Sequence, residues 1–146
     1  MHRCCLTTRP SRSCCGPRPT FAEVLNWYER INVAVIPMGS WNPPQSQIYD
    51  NLTEPERQEL LELGVRVDTS TVLLTEDGTV VTPPLSQRLI GISGDQLARI
   101  PEVIAVAGGS EKTAAIRTAL RAGFIPTLIT NASVARELLN HPWRTG

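Results

Sequence analysis

The sequence predicts an α/β domain on a doubly wound, mostly parallel sheet. Two apolar runs carry that expectation: Asn32-Val33-Ala34-Val35-Ile36-Pro37 and Val103-Ile104-Ala105-Val106-Ala107. Each is apolar at consecutive positions and bounded by turn residues, as strands buried on both faces are. The third observation is order. From Val103 onward the pattern runs strand, helix, strand, helix, which favours parallel pairing through helical crossovers.

The elements follow in turn. Phe21, Val24, Leu25, Trp27 and Tyr28 suggest a short amphipathic helix ending near Arg30, with Thr20 as its cap. The strand at Val33 leads into a loop over Met38-Gly39-Ser40-Trp41-Asn42-Pro43-Pro44. Thr53-Glu54-Pro55-Glu56 is a capping-box pattern with proline early in a helix. That helix runs to Leu63 and stops at Gly64. Val65 to Thr75 reads as one extended segment. Glu76-Asp77-Gly78-Thr79 is a hairpin turn, and Thr79 to Thr82 the return strand. Leu89 to Ile92 reads as a further short strand. Ser93 or Gly94 opens a helix broken by Pro101. Ser110 caps the next helix, with Ala114, Ile116, Ala119 and Leu120 on one face and Gly123 as its stop. Pro126 to Thr130 is the last strand. Thr130 or Asn131 caps a final helix through Val134, Ala135, Leu138 and Leu139.

The 146 residues are 41% hydrophobic, enough for one core. The formal net charge is zero, which gives no electrostatic footprint for nucleic acid. No apolar stretch has the length of a membrane span and no signal peptide is evident, so a cytoplasmic chain is expected. All four cysteines, Cys4, Cys5, Cys14 and Cys15, lie in the first fifteen residues. Adjacent cysteines fit zinc-ligand spacing poorly. Residues 1–19 lack apolar periodicity and are expected to form a disordered leader before a domain over 20–146.

One residue stands apart. Lys112 is the single lysine, in Val106-Ala107-Gly108-Gly109-Ser110-Glu111-Lys112-Thr113. A two-glycine turn between a strand and a helix presents backbone N–H groups, and the helix dipole there favours an anion. A phosphate satisfies those groups and the ammonium together. The competing account is an exposed lysine paired with Glu111. No Ser, Cys or His constellation for nucleophilic catalysis is visible, and no cofactor is called for.

Arg88-Leu89-Ile90-Gly91-Ile92-Ser93, Leu97, Ile100-Pro101 and Val103 through Gly109, with Lys112, Ala115 and Ile116, form a long ordered set. It continues through Ala119 to Gly123, Leu128 to Asn131, Ala135, Leu138 and Leu139. Upstream landmarks are Val33-Ala34-Val35, Gly39-Ser40-Trp41, Gly64 to Asp68, and Asp77-Gly78. Over Phe21 to Leu139 the chain resembles the C-terminal sugar-binding domain of SorC-family (DeoR-type) transcriptional regulators. The resemblance implies the fold shared by ribose-phosphate isomerase, glucosamine-phosphate deaminase and CoA transferases. It also implies a phosphorylated-sugar effector, a homo-oligomer, and operator DNA reached through a helix-turn-helix. Neither that module nor the first half of the effector domain has a match here, so an incomplete sheet with a bare face is expected.

The resemblance marks a set of ligand-binding positions. Lys112, with Gly108 and Gly109, is the phosphate or hydroxyl contact. Asp68 falls where the family has an acidic residue that accepts from sugar hydroxyls; a solvated strand-edge aspartate is its alternative. Met38 and Gly39 line the pocket from the turn after the first strand, where Pro37-Met38 replaces a glycine the family usually has. Two other functions stay open: an isomerase- or deaminase-like enzyme, and a ligand-free oligomerising remnant.

Overall fold

The computed structural model describes residues 19–141. The leader expected over 1–19, with its four cysteines, lies outside them except for Pro19, and so does Trp143. Pro19 opens helix α1 (Pro19–Trp27), which ends in a 3-10 turn, Tyr28–Arg30. Two sheets follow. The first joins β1 (Val33–Pro37), β7 (Glu102–Val106) and β8 (Thr127–Ile129) in the order β1-β7-β8, all parallel. The second is antiparallel. Its strands are β2 (Gly39–Trp41), β3 (Pro44–Gln45), β4 (Val65–Thr69), β5 (Val72–Thr75) and β6 (Val80–Val81), in the order β3-β2-β4-β5-β6.

The α/β class and the parallel sheet are as expected, and the helices of the second half connect its strands. Helix α5 (Thr113–Arg121) links β7 to β8, and α6 (Ala132–Asn140) follows β8. The antiparallel sheet extends well beyond the expected hairpin. The segment after β1 is not a loop: Gly39, Ser40 and Trp41 form β2, which pairs with β3 and β4. The stretch Val65 to Thr75 is two strands. A turn at Ser70, with φ of 54°, reverses the chain between them.

The expected strand at Leu89–Ile92 is absent. A 3-10 turn, Pro84–Gln87, precedes an irregular segment. Its Ile92 carbonyl accepts from Thr71 Oγ1 at 2.6 Å, and a side chain at Gly91 would collide with Thr71. The segment is therefore tied sideways by one hydroxyl and extends no sheet.

Helices α2 (Gln47–Asn51) and α3 (Glu54–Glu62) cover one face of the antiparallel sheet. Trp41, Leu52, Leu60, Val65, Leu73 and Leu85 form a core there. The opposite face shares the main core with the parallel sheet, α4 (Gly94–Arg99), α5 and α6. Val67, Leu97, Val103, Ala105, Ile116 and Val134 are almost fully buried in it. The hairpin tip docks on α5: Thr118 Oγ1 and Arg121 donate to the Glu76 carbonyl at 3.3 and 3.1 Å. Gly78, with φ of +89°, lies so close that a Cβ would sit 2.8 Å from Ala122 N.

Candidate functional site

The site forms where the carboxyl end of the parallel sheet meets β2 and β4. The register of the antiparallel sheet places Gly39 opposite Asp68. Asp68 is 7% exposed and lies on an inner strand, so the solvated strand-edge alternative does not hold. Its Oδ1 accepts from Trp41 Nε1 at 2.8 Å, and the Ser46 hydroxyl also donates to the carboxylate. Burial pushes the Asp68 carboxyl above its ordinary value. Ser46, Trp41 and the positive charge of Lys112 oppose that rise. Trp41 is itself held edge-on against Tyr49, with ring centroids 5.3 Å apart.

Gly39 is required by this arrangement. A Cβ there would lie 2.6 Å from Asp68 Oδ2 and 2.7 Å from Cγ. Met38 contributes differently from its neighbours. Its side chain is buried in the main core, and its carbonyl is the group that faces the site. Lys112 Nζ lies 3.5 Å from that oxygen. The lysine thus reaches across from the turn after β7 toward β2 and β4. Pairing with Glu111 is not seen: among the described residues the ion pairs are Arg57–Glu54, Arg88–Glu56 and Arg117–Glu137.

The glycine turn is more occupied than its sequence suggests. Ser110–Lys112 is a 3-10 turn, and α5 proper begins at Thr113, so Ser110 is not its cap. Gly109, with φ of +101°, is the residue before the turn. Its N–H donates to Asn131 Oδ1 at 3.0 Å, and the Lys112 N–H donates to the Gly109 carbonyl at 3.0 Å. A Cβ on Gly108 would lie 2.9 Å from the same Asn131 oxygen. Asn131 stands at the cap position of α6 as expected, but its side chain is spent on this turn. Glu111 folds back, its Oε2 only 3.0 Å from where a Gly109 Cβ would be.

Lys112, Met38, Gly39 and Asp68 therefore meet, whereas Gly108 and Gly109 serve the turn beside them. Trp41 and Ser46 are participants the sequence did not assign, whereas Asn131 and Glu111 were noticed there in other roles, as a helix cap and as a partner for Lys112. Among the described residues no cluster of three His, Cys, Asp or Glu could hold a metal ion. A cavity of about 220 Å³, lined by Ile48, Leu52, Leu85 and Leu89 with Arg88, lies apart from this site. Chemically the site offers one ammonium, one carbonyl and one carboxylate held by two donors. That set suits a polyhydroxylated anion.

The Sugar-bind family, described as a putative sugar-binding domain, matches residues 11–140. The chain belongs to this sugar-binding domain family. Its sequence is 33% identical to the transcriptional regulator LsrR of Klebsiella pneumoniae over 89 residues, 60% of this chain and 28% of that one. It is 40% identical to the LsrR of Enterobacter sp. strain 638 over 55 residues, 38% of this chain and 17% of that one. Among solved structures it resembles the sugar-binding domain of a transcriptional repressor from Vibrio fischeri. The TM-score is 0.75 and the identity 30%, over 88% of this chain and 52% of that one. A transcriptional regulator from Streptococcus pneumoniae gives a TM-score of 0.76 at 28% identity, over 88% and 49%. The full-length sorbitol operon regulator SorC of Klebsiella pneumoniae shares the fold, with a TM-score of 0.76 at 23% identity over 88% and 41%. The chain thus spans less than a third of these LsrR relatives and about half of the solved chains. The resemblance to the SorC family, with its α/β sugar-binding domain, is borne out.

Proposed function

We propose that this domain senses a phosphorylated sugar for a SorC-type transcriptional regulator. The observation that carries the reading is the convergence of Lys112 and Asp68 from two different sheets. Lys112 supplies the cation a phosphate needs, and Asp68 accepts from sugar hydroxyls. At the turn the remaining backbone donors, among the described residues, are the N–H groups of Gly108, Ser110 and Glu111. The Glu111 carboxylate must swing aside for a phosphate to reach them, because like charges repel. Gly39 and the Met38 carbonyl set the spacing between the two charges.

The domain works as a binding module. Relatives are transcriptional regulators, and the oxygens of Asp68 are engaged by Trp41 and Ser46 rather than poised as a base. Operator DNA is reached through a helix-turn-helix that this domain does not itself supply, because with zero formal net charge it has no excess of cations for phosphate-backbone contacts. No described helix is long and apolar enough to cross a membrane, in keeping with a cytoplasmic regulator. The domain occupies residues 20–146 behind a leader over 1–19, and it acts as a homo-oligomer.

Thermal shift against a panel of sugar phosphates tests the reading. At least one should raise the melting temperature, and Lys112→Ala should abolish the shift while leaving the unliganded melt unchanged. No shift with any member of the panel refutes effector binding. Turnover of ribose or glucosamine phosphates would replace the sensor with an enzyme.

A further inference from the structure

The cavity that lies apart from the candidate site belongs to the smaller core of the antiparallel sheet. It measures about 220 Å³ and sits between helix α2 and the segment opened by the 3-10 turn Pro84–Gln87. Ile48 and Leu52 on the helix side, with Leu85 and Leu89 on the other, give it an apolar wall. Leu52 and Leu85 are buried members of that core, and Ile48 and Leu89 pack against it. Its walls are thus fixed by folded segments of this chain, while the lining residue Asn51 is exposed and opens to solvent. Size bounds the occupant. A cavity of about 150 Å³ lined by Leu, Ile and Phe admits benzene. The larger volume here takes a benzene-sized ring and a short polar substituent.

Charge and hydrogen bonding select that substituent. Among the lining residues Arg88 alone is ionisable, and its Nη1 donates to Glu56 Oε1. Glu56 is charged at neutral pH, because the Thr53 N–H and hydroxyl, with Arg88, hold its carboxyl at about 2. The cavity therefore ends at a neutral pair. A carboxylate entering it would face Glu56 and an ammonium would face Arg88, so either charge would lose its water for no net attraction. The pair still leaves donors, since Arg88 Nε and Nη2 have no partner among the described residues. Asn51 leaves an acceptor. Its Nδ2 donates to the Gln47 carbonyl at 2.7 Å, and its Oδ1 accepts from no described group. A carboxamide matches both, with its oxygen toward Arg88 and its NH2 toward Asn51.

We propose that this cavity is an accessory binding site for a small uncharged ring compound bearing a carboxamide. The occupant sits against the helix that holds Asp68 in place. Ser46, the cap of α2, donates to the Asp68 carboxylate, and Tyr49 of the same helix packs edge-on against Trp41. The site shares no lining residue with Lys112, Met38, Gly39 or Asp68 and does not depend on a sugar phosphate.

Saturation-transfer NMR on the full chain, with benzamide as the probe, is the test. Benzamide should bind with a Kd of about 1 mM or below. Benzoate and benzylamine keep the ring but carry a charge, and each should bind at least roughly tenfold more weakly. Leu89→Trp fills the cavity and should abolish benzamide binding. Asn51→Leu removes the acceptor at an exposed position and should weaken it at least roughly fivefold. Should Leu89→Trp lose its native far-UV circular dichroism, Asn51→Leu decides alone. Lys112→Ala should leave benzamide binding unchanged, which separates this site from the effector site. No binding at about 10 mM benzamide overturns the proposal. Binding that a folded Leu89→Trp or Asn51→Leu leaves intact overturns it too, as does benzoate binding as tightly as benzamide.

Discussion

Asp68 and Gly39 show how far a single residue depends on its neighbour across a strand pair. Gly39→Ala forces a methyl into the Asp68 carboxylate, and overpacking of this kind costs roughly 1–3 kcal/mol. With Asp68→Ala in the background the obstruction is gone, so Gly39→Ala should cost much less. Urea unfolding of the four proteins reads this coupling directly. Asp68 also sets a pH dependence. Its folded pKa is raised above 3.8, so the native state holds the proton more tightly than the unfolded chain. The stability it contributes is complete below that ordinary value and is lost as pH rises through the raised one. Asp68→Asn keeps an acceptor for Trp41 and should flatten this fall, measured as urea midpoints between pH 4 and 7. Of these residues, Lys112 and Asp68 were marked in the sequence by the family resemblance, with Lys112 also set apart as the single lysine at a strand-turn-helix junction. The need for glycine at 39 could not, because it arises from a register that only the fold fixes. Nor could Asn131, whose cap position was legible but whose hydrogen-bond partner lay 22 positions away.

Elements were legible where their signals are local. The Thr53–Glu56 capping box is present, with the Thr53 N–H donating to Glu56 Oε2 at 2.9 Å. That backbone bond, then the Thr53 hydroxyl and then Arg88, hold the Glu56 carboxyl down at about 2 from an ordinary 4.5. A depressed carboxylate stabilises the fold above its unfolded pKa and loses that contribution as pH falls through the folded one. Glu56→Gln should therefore remove the part of the acid destabilisation that lies between pH 4.5 and about 2. Melting temperatures across that window decide it; an unchanged slope would mean the bonds persist equally in the unfolded chain. The misread elements have non-local causes. Ser70 takes a left-handed conformation that favours glycine or asparagine, so nothing in Thr69-Ser70-Thr71 announces a reversal. Gly39-Ser40-Trp41 becomes a strand because β4 offers it an edge. Leu89 to Ile92 has strand-like composition but no strand to pair with, and Thr71 claims its carbonyl instead.

At the scale of the whole molecule, a ligand held by both Lys112 and Asp68, as proposed, would bridge the two sheets. Lys112 follows β7 of the parallel sheet, and Asp68 belongs to β4 of the antiparallel one. The two layers share one core, which the apolar runs foretold, but their relative placement comes from packing between elements distant in sequence. Binding therefore has a global consequence. A ligand present at about 100 times its Kd stabilises the fold by about 2.7 kcal/mol, and opening either sheet would forfeit it. Hydrogen exchange should slow in β4 as well as in β7 when a sugar phosphate binds, although the proposed contacts are only one side chain on β4 and the turn beyond β7. The two charges should also be coupled. If both grip one molecule, removing either leaves the other half of the ligand poorly held. Lys112→Met with Asp68→Asn should then cost less affinity than the two single losses added together. Titration calorimetry with the best sugar phosphate of the panel measures that cycle. Strict additivity would separate the two residues into independent sites, and would leave the phosphate to Lys112 and the turn alone.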